Sequence, residues 1–516
     1  MISPLAIYGR LVTMDEERPV VEDGALYVGS DERIHAVRKR SDQPPAGFES
    51  ARRVETRGCV YPGLIDLHSH VVYNVLPLWS PPGTTEPFTD RAQWPRHGDY
   101  EGTVSDPANA LGALAGKAHL KYCEVKAVIG GTTAIQGSAK MAYPYEGWLV
   151  RNVEYETFKT GKKSVFQSAL PLRDAAAYEK YRDHLKSGKA FVYHLAEGTE
   201  PQLVEEYELA RREEMLRPRF CGIHCTALKA TQFAEWRKKA RAIDAGEDVA
   251  GAQDGTIVWS PFSNLWLYRA TTDVASARDK GMRICLGSDW SPSGSKNLLG
   301  ELKVADLWNQ TTMEGAFTAQ ELCAMATCNP ADALGWSDRI GRLREGLHAD
   351  LLVTTNRGGD PYRNLIESIE RDVLLVAING QPFYGTRGLM AATGARLAEP
   401  ITVGRHRRRI QLVYPDVKDA DMSWAEVLVD LAEAIENPVA RYLEIEKFHK
   451  QGRKPPPWLK TDKPWDDPDV TGKPVATDVT IPPLDSLTHD TAYFRAVKNA
   501  QLHGGLLDGV RDYYAR

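Results

Sequence analysis

Four short apolar runs, far apart in the chain, each end in a residue that can bind a metal ion or move a proton. Leu64-Ile-Asp-Leu-His-Ser-His delivers His68 and His70; Phe191-Val-Tyr-His-Leu-Ala-Glu delivers His194 and Glu197; Phe220-Cys-Gly-Ile-His ends on His224; Ile284-Cys-Leu-Gly-Ser-Asp ends on Asp289. His68 and His70 are two apart in an extended segment, so both imidazoles project to one side and can reach one ion. His194 adds a third nitrogen and Asp289 a carboxylate oxygen. Three imidazoles and a carboxylate suit a single Zn²⁺, and also accept Fe²⁺ or Mn²⁺. An ion held this way brings the pKa of a bound water towards about 7, giving hydroxide at neutral pH. Hydrolysis of a carbon–nitrogen bond also needs proton transfers. Asp289 can take the proton from that water, and Glu197 can pass one to the leaving nitrogen. His224 can polarise the substrate carbonyl or ring C=N and stabilise the charge that develops. Taken alone, His224 would read as a satisfied core histidine; within this series it reads as functional.

These residues need elements that bring them together. A short, fully apolar run ending in a ligand is the pattern of a buried parallel strand that presents its C-terminal end. Thr132-Thr-Ala-Ile, Ser164-Val-Phe-Gln and Thr256-Ile-Val-Trp have the same texture, which makes seven strands, with an eighth expected between Met141 and Tyr155. Helical stretches alternate with them, at Asp174 to Lys186, Leu203 to Glu214, Thr231 to Ala245 and Leu298 to Trp308. The series predicts an α/β fold, a (β/α)8 TIM-like barrel over residues 61–340, whose strand ends converge on one mouth.

Residues 1–60 and 341–395 read instead as short alternating strands with turns, including the hairpin signal Asn379-Gly380. Neither flank has enough strands for a core, so the two are expected to build one small β-sandwich. Residues 396–516 form a C-terminal, mostly helical and irregular extension. It holds the basic run Arg405-His-Arg-Arg-Arg, read as a solvated or ion-paired face, and an amphipathic helix from Trp424 to Lys450 with Leu428, Leu431, Ile435 and Leu443. An Asp/Lys/Pro-rich stretch from Thr461 to Pro483 follows, and then a Tyr- and Leu-rich tail after Thr488 that is expected to dock.

With these residues in place the chain resembles the amidohydrolase superfamily over roughly residues 1 to 390. The resemblance is carried by Tyr61-Pro-Gly-Leu-Ile-Asp-Leu-His-Ser-His, Gly130-Gly-Thr-Thr, His194-Leu-Ala-Glu, His224-Cys, Ser260-Pro-Phe-Ser-Asn, Leu286-Gly-Ser-Asp, Asn329-Pro-Ala-Asp-Ala-Leu-Gly and Gly341-Arg-Leu-Arg-Glu-Gly-Leu-His-Ala-Asp. His-x-x-Glu is similar to the mononuclear deaminase and chlorohydrolase branch, which includes cytosine, guanine and triazine hydrolases. The resemblance implies His68, His70, His194 and Asp289 as ligands, and Glu197 and His224 as catalytic groups. It also implies a small-molecule substrate and a homo-oligomer. The chain departs from that branch in a short stretch between Thr133 and His194, in Trp259 where a polar residue is common, and in the long extension. These departures bear on the substrate more than on the chemistry.

The reading is therefore hydrolytic deamination of a small amino-heterocycle. One alternative is a cyclic or linear amide hydrolase, imidazolonepropionase-like or acting on N-acyl groups. Such an enzyme could be binuclear, with a carboxylated Lys140 bridging two ions and His194 and His224 on the second. Another is a catalytically inactive barrel serving as an assembly scaffold. Asp66 is expected to orient backbone or a ligand rather than bind the ion. Ser263 and Asn264 either hydrogen-bond near the mouth or make a turn. The long loop from Val71 to Pro107 carries Trp79, Trp94 and Tyr100; with Trp259, Trp266 and Trp290 it either lines an aromatic pocket or packs the core.

A net charge of −5 and a pI near 6.3 give no electrostatic case for nucleic acid or membrane partners. No apolar run approaches the roughly 20 residues of a membrane span, and no secretory leader is read at the start. The seven cysteines sit mostly in apolar contexts, as buried thiols do in a reducing cytoplasm. Cys221 and Cys225 bracket His224, but no second Cys/His pair follows to complete a zinc knuckle.

Overall fold

The computed structural model describes residues 3–137, 149–244, 254–415, 417, 420–438, 441 and 491–515. The apolar ligand-bearing runs are parallel strands, buried along their lengths as their composition requires. A three-stranded sheet has the order β5 (Leu64–Asp66), β6 (Thr132–Ile135), β7 (Arg151–Asn152). A five-stranded sheet holds β8 (Val165–Ser168), β9 (Ala190–Leu195), β10 (Phe220–His224), β11 (Thr256–Trp259) and β12 (Arg283–Leu286), each paired in parallel with the next. β7 is the strand expected between Met141 and Tyr155, reduced to two residues. The edges β5 and β12 meet: Asp289 N–H donates to His68 O at 2.8 Å and His70 N–H to Asp289 O at 3.1 Å. This contact seats His68, His70 and Asp289 side by side. Gly287 permits it, because a Cβ there would lie 2.3 Å from the His68 Cβ.

The helices between the strands follow the expected ranges, and polar caps fix where they start. Asp174 caps Ala175–Lys186 by accepting from Ala177 N–H at 2.8 Å, and Asn297 caps Leu298–Thr311 by accepting from Gly300 N–H at 2.9 Å. The helix Asp106–Ile129 is absent from the expected set. It is buried nearly all round from Leu114 onward, so it shows no polar face to mark its period.

Both flanks contribute to one hydrogen-bonded sheet. Nine strands are hydrogen-bonded in the order β16-β17-β15-β14-β13-β4-β1-β2-β3. The first flank supplies β1 (Leu5–Val12), β2 (Val20–Val28), β3 (Ile34–Lys39) and β4 (Arg52–Pro62), and the second β13 (Leu351–Thr355), β14 (Val373–Ile378) and β15 (Gln381–Gly385). The join is β4 against β13, with Val60 opposite Val353. Leu5, Leu26 and Val54 share a core cluster with Leu351, Val353 and Leu375. The sheet runs on into β16 (Glu399–Val403) and β17 (His406–Ile410), so most of the basic run is a strand between β16 and β15.

The helix expected from Trp424 is described over Trp424–Glu436, and Leu443 lies outside the described residues. Its buried stripe is Trp424, Val427, Leu431 and Ala434, which leaves Leu428 exposed. Trp424 stacks on Tyr122 of the long buried helix at 5.9 Å. The tail docks through Thr491–Asn499 and Val510–Tyr514. His503 is fully buried and stacks on Trp266, with centroids 5.4 Å apart and planes at 18°. Arg269 Nε–H donates to Leu502 O at 2.7 Å, and the Tyr513 hydroxyl hydrogen-bonds Asp306. Lys296 Nζ sits 4.4 Å from the Tyr493 ring centre. Among the described residues no helix is long and apolar enough to cross a membrane, and all seven cysteines are free and buried. Replacing His503 by Ala should uncover the Trp266 face and destabilise the protein by on the order of 2 kcal/mol, read as a lower denaturation midpoint.

Candidate metal centre and active site

The C-terminal ends of β5, β9, β10 and β12 bring together every residue that the four runs delivered. His68 Nε2 lies 3.3 Å from His70 Nε2, 3.1 Å from His194 Nε2 and 3.5 Å from Asp289 Oδ1. His70 Nε2 is 3.6 Å from the same Asp289 oxygen. Three imidazole nitrogens this close bring lone pairs together, which is favourable only around a cation or shared protons. Burial disfavours the protons. It drives the pKa of His68 and His194 well below the ordinary range, with neighbouring imidazoles adding to the effect, and that of His70 down to about 4. Neutral imidazoles beside a carboxylate are the donor set a divalent ion prefers. His68 is also oriented for it: Nδ1 is 2.9 Å from Ser260 Oγ, which leaves Nε2 facing the cluster.

Asp66 does not point at the cluster. It accepts from Ser288 N–H at 3.0 Å, from the Ser288 hydroxyl at 2.5 Å and from His68 N–H at 3.2 Å, so it ties the ends of β5 and β12 together as expected. Burial raises its pKa to about 7 despite these bonds. Four residues at the strand ends have left-handed backbone: Ala196 at φ 51°, His224 at φ 63°, Cys225 at φ 56° and Asp289 at φ 60°. Non-glycine residues adopt this region at a cost, and sharp exits from strands at a site are where that cost is met.

Glu197 and His224 stand beside the cluster, and both are buried. Glu197 Oε2 is 3.6 Å from His224 Nε2. Tyr268 donates its hydroxyl to Glu197 Oε1 at 2.7 Å and accepts from the Trp94 indole N–H at 3.2 Å. Burial pushes the Glu197 carboxyl upward against the pull of the Arg91 guanidinium. Burial and the Arg91 charge push His224 down to about 3. Arg91 is braced by Glu206 at 2.6 Å, and Glu206 in turn accepts from Ala196 N–H at 2.8 Å. Asn264 faces His224, with Nδ2 2.9 Å from Nδ1, and Ser263 hydrogen-bonds Asp289. The Pro261–Tyr268 helix therefore serves the site rather than making a simple turn.

The tryptophans divide. Trp94 and Trp290 pack at 5.3 Å, Trp290 lies 5.9 Å from His70 and 5.0 Å from Tyr73, and Tyr100 joins Trp94 at 5.4 Å. These rings form an aromatic wall beside the metal cluster. Trp259 and Trp266 are fully buried behind it. The Val71–Pro107 loop is held over the strand ends: Asp90 bridges to Gly198, Thr199 N–H donates to Thr89 O at 2.8 Å, and Trp266 Nε1–H donates to Trp79 O at 3.0 Å.

Tyr268 and Ser260 were missed from sequence. The signal for Tyr268 was its spacing: it lies four residues after Asn264, so the two share a helix face. Lys140, the candidate bridge between two ions, lies outside the described residues.

The chain is similar to known proteins. Residues 181–382 match the amidohydrolase family. A 5-methylthioadenosine/S-adenosylhomocysteine deaminase of Syntrophobacter fumaroxidans is 24% identical over 393 residues, covering 68% of this chain and 84% of that protein. A 5'-deoxyadenosine deaminase of Methanothermobacter thermautotrophicus is 29% identical over 155 residues, 29% of this chain and 33% of that protein. Among solved structures, a zinc-bound adenosine deaminase of Xanthomonas campestris superposes with a TM-score of 0.58 at 20% identity, covering 76% of this chain and 96% of that one. Escherichia coli guanine deaminase gives 0.53 at 15% identity, over 74% and 99%.

Cobalt(II) added to chelator-treated full-length protein should give the visible absorption of a protein-bound ion, down to mildly acidic pH because burial keeps the imidazoles neutral. His194→Ala and Asp289→Ala should each abolish it; the spectrum of free aqueous cobalt in the wild type would refute the cluster as a metal centre.

Proposed function

We propose that this chain, a member of the amidohydrolase superfamily, is a metal-dependent hydrolase that removes the amino group of a small amino-heterocycle, with adenine nucleosides as the substrate class. The observation that carries this reading is Glu197. It stands three residues past His194, and its carboxylate lies with His194 and His224 in a group whose ligand atoms are within 4.8 Å of one another, beside the group of His68, His70 and His194. One of its oxygens is held by Tyr268 and the other faces His224. A departing amine must receive a proton, and a buried carboxyl of raised pKa beside the cluster is built to give one.

In this reading the three- and five-stranded parallel sheets are one (β/α)8 barrel spanning residues 61–340. Residues 1–60 and 341–395 form the flanking β unit, and 396–516 an extension that braces the barrel. His68, His70, His194 and Asp289 would hold one divalent ion. Zinc is preferred, since three imidazoles and a carboxylate suit it and the Xanthomonas campestris adenosine deaminase binds it. Bound there, such an ion supplies Lewis acidity and a water ionised near neutral pH.

The chain's own groups do the rest. Asp289, whose proton affinity is raised by burial, accepts the proton of the attacking water. His224 directs its Nε2 at the ring nitrogen or oxygen that gains charge. Glu197 delivers a proton to the leaving nitrogen. The Trp94–Trp290–Tyr100 wall gives a flat ring an apolar face to lie against. The deaminase relatives, matched over most of their length, support the nucleoside class.

The test is ammonia release from a panel of adenosine, 5'-methylthioadenosine, guanine, cytosine and a cyclic amide. The nucleosides should release ammonia, chelation should stop the reaction and zinc should restore it. Glu197→Gln should keep its metal and lose about 10²- to 10⁴-fold in kcat. Tyr268→Phe should lose less, about 10-fold. Ring opening of the cyclic amide to a carboxylate, with no ammonia from any amino-heterocycle, would replace this reading with the amide-hydrolase one.

A further inference from the structure

His224 is addressed from behind by three hydrogen bonds in series, and the first begins at a group that can only donate. The Trp259 indole Nε1–H donates to Thr271 Oγ1 at 2.7 Å. The Thr271 hydroxyl donates to Asn264 Oδ1 at 3.2 Å. Asn264 Nδ2 then lies 2.9 Å from His224 Nδ1. An indole has a donor and no acceptor, so the direction of the whole series is imposed at Trp259. Thr271 accepts there and turns its one hydrogen to Asn264. Oδ1 of Asn264 is thereby the accepting end of its amide, and Nδ2 is the end that faces His224. Reversing the amide would set Oδ1 against His224 Nδ1, and would leave the Thr271 hydroxyl hydrogen without an acceptor among the described residues. Trp259, Asn264 and His224 are all buried and Thr271 is half-buried, so a lost partner at Asn264 or His224 is costly.

A ring nitrogen that accepts a hydrogen bond carries its lone pair and not a proton. We infer that Trp259, Thr271 and Asn264 are positioning residues that hold His224 as the neutral Nε2–H tautomer, so that it meets the substrate as a hydrogen-bond donor and not as a base. The role at the substrate rests on the deaminase reading above; the tautomer does not. Two features agree with the assignment. His224 Nε2 is the nitrogen turned to the site, 3.6 Å from Glu197 Oε2. Tyr268 donates to Glu197 Oε1, which leaves Oε2 as the carboxyl oxygen turned towards His224 Nε2. The backbone of His224 is fixed as well, by the Thr272 hydroxyl on its carbonyl oxygen. Trp259 thus acquires a purpose at a position where the resembled branch commonly has a polar side chain: its indole is the donor that starts the series.

The experiment is long-range ¹H–¹⁵N correlation on the zinc-loaded full chain labelled with ¹⁵N-histidine, with His224 assigned by the signals lost in His224→Gln. The wild type should show an unprotonated Nδ1 and a protonated Nε2. Asn264→Asp presents only acceptors to Nδ1 and should move the proton there, with kcat down about 10²-fold or more and KM little changed. Thr271→Val keeps the shape, frees the amide to turn and should give both tautomers, whereas Thr271→Ser should restore the wild-type pattern. Should Asn264→Asp fail to fold, Trp259→Phe removes the first donor and should also give both tautomers. A protonated Nδ1 in the wild type overturns the inference, as does a pattern unchanged in Thr271→Val and Trp259→Phe. The signature needs no substrate. A wild type with the expected tautomer that deaminates nothing would therefore sink the proposed reaction and leave this assignment standing.

Discussion

Three imidazole nitrogens and one carboxylate oxygen, crowded within hydrogen-bond distance and largely out of solvent, are mutually unfavourable until a cation lies among them. Much of the molecule can be understood as what it takes to hold that arrangement. The edges β5 and β12 must touch, so the chain has a glycine at 287 where a side chain would strike His68. They must touch in one register, so Asp66 clasps Ser288 and the His68 amide together. The strands must end abruptly, so Ala196, His224 and Asp289 accept left-handed backbone. Parallel strands that all terminate at one level are the economical way to bring side chains from sequence positions 68 to 289 to one point.

Burial then acts on each group according to its charge. It favours the neutral form of the histidines, and it raises the proton affinity of the Glu197 and Asp289 carboxyls. One environment thus separates the roles of the groups, and local partners refine them. Tyr268 claims one oxygen of Glu197, Asn264 claims one nitrogen of His224, and both come from the single helix Pro261–Tyr268. That helix is pressed from its other side by the C-terminal tail, through the stack of His503 on Trp266. The extension is therefore joined to the site by packing, although none of its described residues is among the clustered side chains.

The aromatic residues show how a uniform sequence signal splits in three dimensions. Six tryptophans and tyrosines singled out near the site all look alike as large, apolar side chains. Trp94, Trp290 and Tyr100 meet on the cluster side, where Trp290 lies 5.9 Å from His70. Trp259 and Trp266 are sealed behind them and act through their indole N–H groups, one on Thr271 and the other on the Trp79 carbonyl. Composition cannot separate these two uses, because the difference lies in which way the ring faces.

The sequence alone pointed to the residues that gather at the strand ends and to an α/β chain with parallel strands, because a short apolar run ending in His or Asp constrains both local conformation and chemistry. It determined seven strand positions and four helices for the same reason: periodicity and caps are local. It also pointed to the region of the eighth strand, though β7 is too short for any periodicity to show. Tertiary structure alone decided the rest. The helix Asp106–Ile129 is buried nearly all round from Leu114 onward and so carries little amphipathic signal. The two flanks and the basic run became one continuous sheet because strand pairing is settled by backbone partners distant in the chain. Tyr268, Ser260 and the series from Trp259 to His224 acquire their roles only through hydrogen bonds across elements, whose direction depends on which donors face which acceptors once the chain has closed on itself.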